Sequence, residues 1–222
     1  MKDFDEDIRV EVYRSFAETG APPDLSALAE VAEVSREEAR DALRRLADAH
    51  HLVLDSADRI VMAHPFASVP LGFSVMGERT LWWGGCAWDS FAIPHLAPGE
   101  PEVLVSTRCP GCGAAHAWVV NREGPPAGEQ VAHFLTPMAH VWDDILHACG
   151  NQRLFCGRPC VDAWLSNTGN LPGYVMDLTT LWNFAGGWYA GRLGHGYIRR
   201  EPETAAAYFR EVGLRGPFWG LP

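Results

Sequence analysis

No stretch of this sequence is apolar for anything near the ~20 residues that a membrane-crossing helix needs. The chain opens MKDFDEDIRV, acidic and without the apolar core of an export signal. Positive charge is scarce: 18 Lys and Arg face 28 Asp and Glu, a formal net charge of −10. Lys2 is the single lysine of the chain. Internal repeats and low-complexity segments are missing too. These absences argue against a membrane protein and against a chain steered as a whole to nucleic acid or anionic lipid. They lead us to expect a cytoplasmic protein, where thiols stay reduced.

What is present is a globular composition. Hydrophobic residues make up 47%, with nine Trp and ten Phe, enough for a sizeable core in one or two domains. The six cysteines, at 86, 109, 112, 149, 156 and 160, are expected to be reactive or metal-binding rather than disulfide-bonded.

The fold expected is α+β: a winged-helix-like domain over 1–64, then a mixed sheet-and-helix catalytic domain over 65–222. Ile8, Val12 and Phe16 recur at helical spacing, and Gly20 can end that helix. A short helix should run from about Asp24 to Ala32. Ser35 and Glu38 form a capping box opening a third, whose apolar face is Ala39, Ala42, Leu43, Leu46 and Ala47. HLVLD and RIVMAH read as two strands joined by a turn at 56–58. Such a module can bind DNA or act as scaffold. Residues 1–62 carry 8 basic against 15 acidic side chains, and Arg36, Arg40, Arg44 and Arg45 are interleaved with Glu37, Glu38 and Asp41. Phosphate binding needs net positive surface, so scaffold is the reading expected.

HPFASVPLGFSV links the two parts. Beyond it, EVLVST and HAWVVN read as strands, 135–149 as a region where a helix begins, and 157–166 and EPETAAAYFREVGL as helices, the last closed by Gly213. The aromatic run WNFAGGWY at 182–189 is assigned to core, although it could wall a pocket.

The chemistry concentrates around LWWGGCAWDSFAIPHL. Gly84 and Gly85 permit a sharp turn or close approach. If Cys86 opens a helix, the backbone N–H groups there favour its thiolate, and Asp89 shares its face. Walls of Trp82, Trp83 and Trp88 would raise the carboxyl's pKa and suit it to hold and release a proton. By itself, Cys-x-x-Asp equally describes a buried structural cysteine and a surface acid.

The run Trp83, Gly84, Gly85, Cys86, Ala87, Trp88, Asp89 and Pro94 resembles the first active-site motif of the alkylmercury (organomercurial) lyase family. VWDDILHACGNQRLFCGRP resembles the second, with Cys149 at its cysteine and Phe155 on the strand that follows, and HPFASVP resembles the family's interdomain connection. The resemblance runs from about residue 25 to 165. It implies that Cys86, Asp89 and Cys149 are catalytic, with two thiolates holding mercury while Asp89 passes a proton to carbon and Hg(II) remains on Cys86 and Cys149. It implies an organomercurial substrate, no organic cofactor, and a thiol acceptor for Hg(II) such as mercuric reductase. The chain departs from the family's best-known pattern in its extra cysteines and in Gly150, where another cysteine can occur. Two other readings stay open: a relative acting on another carbon–heteroatom or soft-metal substrate, and a non-catalytic thiolate metal-binding or sensing protein.

Four cysteines remain. Cys109 and Cys112 in RCPGCGAAH and Cys156 and Cys160 in FCGRPC suit a structural zinc ion, with His116 or His147 as substitute ligands. Free thiols, a redox pair or a surface mercury relay would also account for them. Asp143 or Asp144 could supply a second acid, but as sequence neighbours they point in different directions on a helix, which argues against a joint role, and Asn151 and Arg153 could line the pocket.

Overall fold

The computed structural model describes residues 2–222. Helix α1 (Asp3–Thr19) buries Ile8, Val12 and Phe16 along one face and ends where Gly20, at φ +76°, donates its N–H to the Phe16 carbonyl. Helix α2 (Leu25–Val31) is capped by the Asp24 carboxylate, which accepts from the Ser26 and Ala27 amides. Helix α3 (Arg36–Asp48) carries the expected reciprocal Ser35–Glu38 box and buries Ala39, Ala42, Leu43 and Leu46. A hairpin of β1 (Val53–Leu54) and β2 (Ile60–Ala63) follows.

That hairpin does not end the sheet. Strands β3 (Phe66–Ala67), β4 (Phe73–Met76), β5 (Leu81–Gly84), β6 (Glu102–Arg108) and β7 (Ala115–Asn121) extend it to seven strands, in the order β1-β2-β3-β5-β4-β6-β7. Every neighbouring pair is antiparallel. The boundary expected at 64/65 therefore falls between two strands of one sheet. Alternation sets the faces: Val103, Val105, Trp118 and Val120 point to the core while Leu104 and Val119 face out. Helix α4 (Ala87–Leu96) lies across the inner face and has no polar side, since every residue from Ala87 to Pro94 is buried.

A second antiparallel sheet, β10-β8-β9, is formed by β8 (Val131–Phe134), β9 (Gln152–Phe155) and β10 (Tyr174–Asp177). Helices α5 (Ile145–Gly150) and α6 (Arg158–Thr168) flank β9 in sequence. The helix expected to begin near residue 135 begins ten residues later. Pro137 disfavours a helix running through the residue before it, a single 3-10 turn follows at Met138–His140, and Asp144 caps α5 by accepting the His147 amide. Helix α7 (Leu178–Trp188) packs on α4, and α8 (Pro202–Glu211) adds Phe209 to an aromatic cluster in which Phe184 stacks on Trp88 at 3.8 Å.

The two ends of the chain meet at buried arginines. The Arg9 guanidinium on α1 donates to the Arg192 carbonyl at 2.7 Å, and Arg192 Nη1 donates to the Tyr13 hydroxyl at 3.1 Å and the His64 carbonyl at 2.6 Å. Burying cations is costly unless their N–H groups are satisfied, so these bonds fix the C-terminal segment against α1.

Candidate active site

Cys86 is the N-cap of α4, as its sequence neighbours suggested. Its extended backbone breaks from strand β5, and its Sγ accepts the Asp89 amide at 3.4 Å. The Ser90 hydroxyl donates to the Cys86 carbonyl at 2.6 Å, fixing the first turn. The two glycines before it serve close approach. A Cβ on Gly84 would lie 2.1 Å from Ser90 Oγ, and one on Gly85 would lie 2.3 Å from Asp89 Oδ2.

Asp89 is completely buried one turn into the helix. Its Oδ1 accepts the Tyr189 hydroxyl in a short hydrogen bond, while Oδ2 has no hydrogen-bond partner among the described residues. Burial pushes the carboxyl up to about 7, against the stabilising hydrogen bond from Tyr189 and the charge of Arg192. Such a group exchanges a proton readily near neutrality.

Cys149 arrives from the other sheet, near the end of α5 and just before β9, where Gln152 begins the strand. Its thiol is 2% exposed and neighbours Cys86 closely enough for each to perturb the other's ionisation. Burial holds the Cys86 thiol well above its ordinary range. At Cys149 the Cys86 contact lowers the value, but burial and the Asp89 charge outweigh it and leave the thiol raised. Both raised values favour the protonated thiol in the unliganded site. His64 Nε2 lies 3.4 Å from Cys149 Sγ, and donor atoms of His64, Asp89 and Cys149 lie within 4.8 Å of one another. Burial, then the charges of Arg192 and Arg199, lowers His64 to about 3 and keeps its imidazole neutral.

These groups line a cavity of about 70 Å³ whose remaining walls include Trp88, Met138, Trp142, Ile145 and Trp188. That is room for a few water-sized groups, walled by apolar and aromatic surface.

Several expectations about the walls change. Of the three tryptophans near Cys86, Trp88 alone lines this cavity. Strand alternation sends Trp83 to the opposite face, 37% exposed, and Trp82 is buried with its indole N–H on the Phe16 carbonyl. The 182–189 run divides: Phe184 is core, while Trp188 and Tyr189 reach the cavity. Asn151 and Arg153 do not line it. Arg153 packs over Phe73 on a separate groove, and the neighbour that does reach the cavity is Gln152. Asp143 pairs with His140 at the surface and Asp144 is a helix cap, so neither joins the site.

His64 and Tyr189 entered the sequence reading only as members of the longer runs at 64–70 and 182–189, with no individual role, and Arg192 did not enter it. They lie 22 residues or more from Cys86, and nothing in their local context distinguishes them.

The second cysteine set also converges. The four Sγ atoms of Cys109, Cys112, Cys156 and Cys160 lie within 4.8 Å of one another. The Cys112–Cys156 separation is 3.3 Å, well beyond the ~2.05 Å of a disulfide. Gly111 lets the loop after β6 press onto the Cys160 carbonyl, which a Cβ there would meet at 2.3 Å. His116 Nε2 is 3.4 Å from Cys156 Sγ, whereas His147 lies on α5 and bonds with Asn151.

An α+β protein with two buried thiols and a protonatable carboxyl gathered at one pocket belongs to a narrow class: it can grip a soft metal and move a proton beside it. The chain is a member of the alkylmercury lyase family, whose model matches residues 66–190 and so includes Cys86, Asp89, Cys149 and Tyr189. The fold is shared with a solved structure, the mercury-bound form of MerB2. Its TM-score is 0.67 at 18% identity, covering 87% of this chain and 93% of that one. No curated protein sequence matches the chain.

Proposed function

We propose that Cys86, Asp89 and Cys149 cleave the carbon–mercury bond of a small organomercurial. The observation that carries this reading is the meeting of two buried thiols with a carboxyl raised to about 7 in one cavity. An organomercury cation arriving on a carrier ligand bonds first to Cys149, whose proton leaves with that ligand. As Cys86 sulfur bonds to the mercury, its proton passes to the Asp89 carboxylate. The electron pair of the carbon–mercury bond then takes that proton from Asp89, and the hydrocarbon leaves. Asp89 returns to its carboxylate, and Hg(II) remains between the two sulfurs until a thiol acceptor, such as that of a mercuric reductase, removes it. No organic cofactor takes part. Tyr189 orients Asp89 and stabilises its ionised form.

The test is hydrocarbon release from phenylmercury, read as benzene by gas chromatography. Wild-type protein should release it, and folded Cys149→Ala should not. Full activity in that variant would remove Cys149 from the mechanism.

We also assign Cys109, Cys112, Cys156 and Cys160 to one structural zinc ion. At a Zn–S distance of about 2.3 Å a tetrahedron of thiolates has edges of roughly 3.8 Å, and the four sulfurs are already gathered on that scale. The ion would tie the loop after β6 to the start of α6. Free thiols throughout fit a reducing, cytoplasmic setting. Among the described residues no helix is long and apolar enough to cross a membrane.

Residues 1–64 serve, in this reading, as a winged-helix-like scaffold for the catalytic part at 65–222. Three of the four arginines on α3 are engaged within the protein: Arg44 bonds Asp41 and Asp58, Arg45 bonds Asp5, and Arg40 approaches Asp58 at 3.9 Å. Little basic surface is left for phosphate.

A further inference from the structure

Three guanidinium groups, from Arg192, Arg199 and Arg200, line the cavity that holds the two thiols. Among the described residues none of the three has a carboxylate within 4.0 Å. This is unusual in a chain with a formal net charge of −10. The nearest acid in sequence, Glu201, lines the adjoining groove. Burial first, and then the charge of Arg192, holds Arg199 below the usual guanidinium range.

Arg199 and Arg200 are held in place with few of their donors engaged, and Arg192 keeps one nitrogen unbonded. Arg199 packs over Trp142 and donates Nη1 to the Ala49 carbonyl at 2.9 Å. Arg200 packs against Trp188 and Tyr208 and donates Nη2 to the Gly187 carbonyl at 3.1 Å. Arg192 uses Nε and Nη1, leaving Nη2 without a protein partner and not sealed from solvent. Each guanidinium has five N–H donors arranged to grip a carboxylate, and most of those on Arg199 and Arg200 make no hydrogen bond within the protein. Packing on aromatic rings fixes them beforehand, which lowers the ordering cost of binding an anion.

We propose that Arg199 and Arg200, backed by Arg192, form a carboxylate-binding subsite, so that the preferred substrate is an organomercury species carrying a carboxylate. The apolar walls take its body and the guanidinium groups take its charge. This rests on the lyase reading given above. The carboxylate can belong to the organic group bonded to mercury or to the carrier thiol that delivers it.

Two measurements test it. In the first, kcat/KM for hydrocarbon release is compared between p-(hydroxymercuri)benzoate and phenylmercury, each delivered by 3-mercaptopropionate or by 2-mercaptoethanol. Wild-type, Arg199→Gln and Arg200→Gln proteins are used. Hydrogen bonds to charged groups suggest that each substitution lowers the ratio of carboxylated over neutral kcat/KM by about 10–100-fold. A fall confined to mercuribenzoate places the carboxylate on the organic group, and a fall confined to mercaptopropionate places it on the carrier. The second measurement titrates benzoate into metal-free protein, followed by Trp fluorescence with benzyl alcohol as the neutral control. Saturable binding of benzoate alone, weakened in both variants, supports the subsite even if no hydrocarbon is ever released and the lyase reading fails. Unchanged ratios in the first measurement, or no preference for benzoate over benzyl alcohol in the second, overturn the proposal.

Discussion

The Tyr189 hydroxyl, at the end of α7, donates to Oδ1 of Asp89 in the first turn of α4, 100 residues away in the chain. The bond stabilises the ionised carboxylate against a burial that favours the neutral acid. In the proposed mechanism the reactive free enzyme has one proton shared between Asp89 and Cys86. Acidification through about 7 adds a second and blocks proton transfer from the thiol. Activity should therefore rise with pH through this region. Tyr189→Phe removes the donor, so the carboxylate is less stable and the rise should move to higher pH. A kcat/KM profile for phenylmercury across about pH 5 to 9 reads the shift. An unmoved profile would mean that Tyr189 does not govern the titration of Asp89.

Asp89→Asn keeps the side-chain size but cannot pass the proton. Phenylmercury should still bind through Cys86 or Cys149, while single-turnover release of benzene slows by about 10²–10⁴-fold. Mercury retained on the protein and benzene released are measured on the same sample. Equal release from wild type and variant would take Asp89 out of the proton path.

Gly85→Ala tests the close approach at the site. The added methyl would lie 2.3 Å from Asp89 Oδ2 and 2.5 Å from Met62 Cε. Overpacking of this kind typically destabilises by about 1–3 kcal/mol. Urea denaturation should show that loss, accompanied by slower hydrocarbon release because Asp89 is displaced. Wild-type stability and rate together would show that the helix start gives way at no cost.

Purified protein should carry about one zinc per chain. A chelator strong enough to remove it should lower the melting temperature, since a structural zinc contributes directly to folding. Elemental analysis and thermal unfolding before and after chelation read both. No zinc, together with four freely titrating thiols at 109, 112, 156 and 160, would leave the cluster as an unliganded thiol group.

Much of the first part of the fold was legible because its determinants are local. Asp24, Ser35 with Glu38, and Gly20 mark helix ends through bonds made within four residues, and the apolar faces of α1 and α3 follow from spacing. The segment 135–149 misled because its apolar residues suggest a helix, whereas Pro137 and the Asp144 cap decide where one can form. Cys86 and Asp89 were legible as a pair because one helical turn joins them. Cys149 was legible through its resemblance to a family motif, not through any local rule.

The sequence alone determined which residue types were available: a thiol and a carboxyl one turn apart, glycines before them, and two further cysteine pairs. Tertiary structure decided what surrounds them. Strand alternation turned Trp83 outward, and the packing of α7 on α4 put Tyr189 on Asp89. The bond from Arg192 to the His64 carbonyl fixed that residue beside the pocket, with its imidazole 3.4 Å from Cys149 Sγ. These contacts join residues up to 128 positions apart. Which distant groups meet depends on how whole elements bury their apolar faces, a property of the packed chain rather than of any short segment.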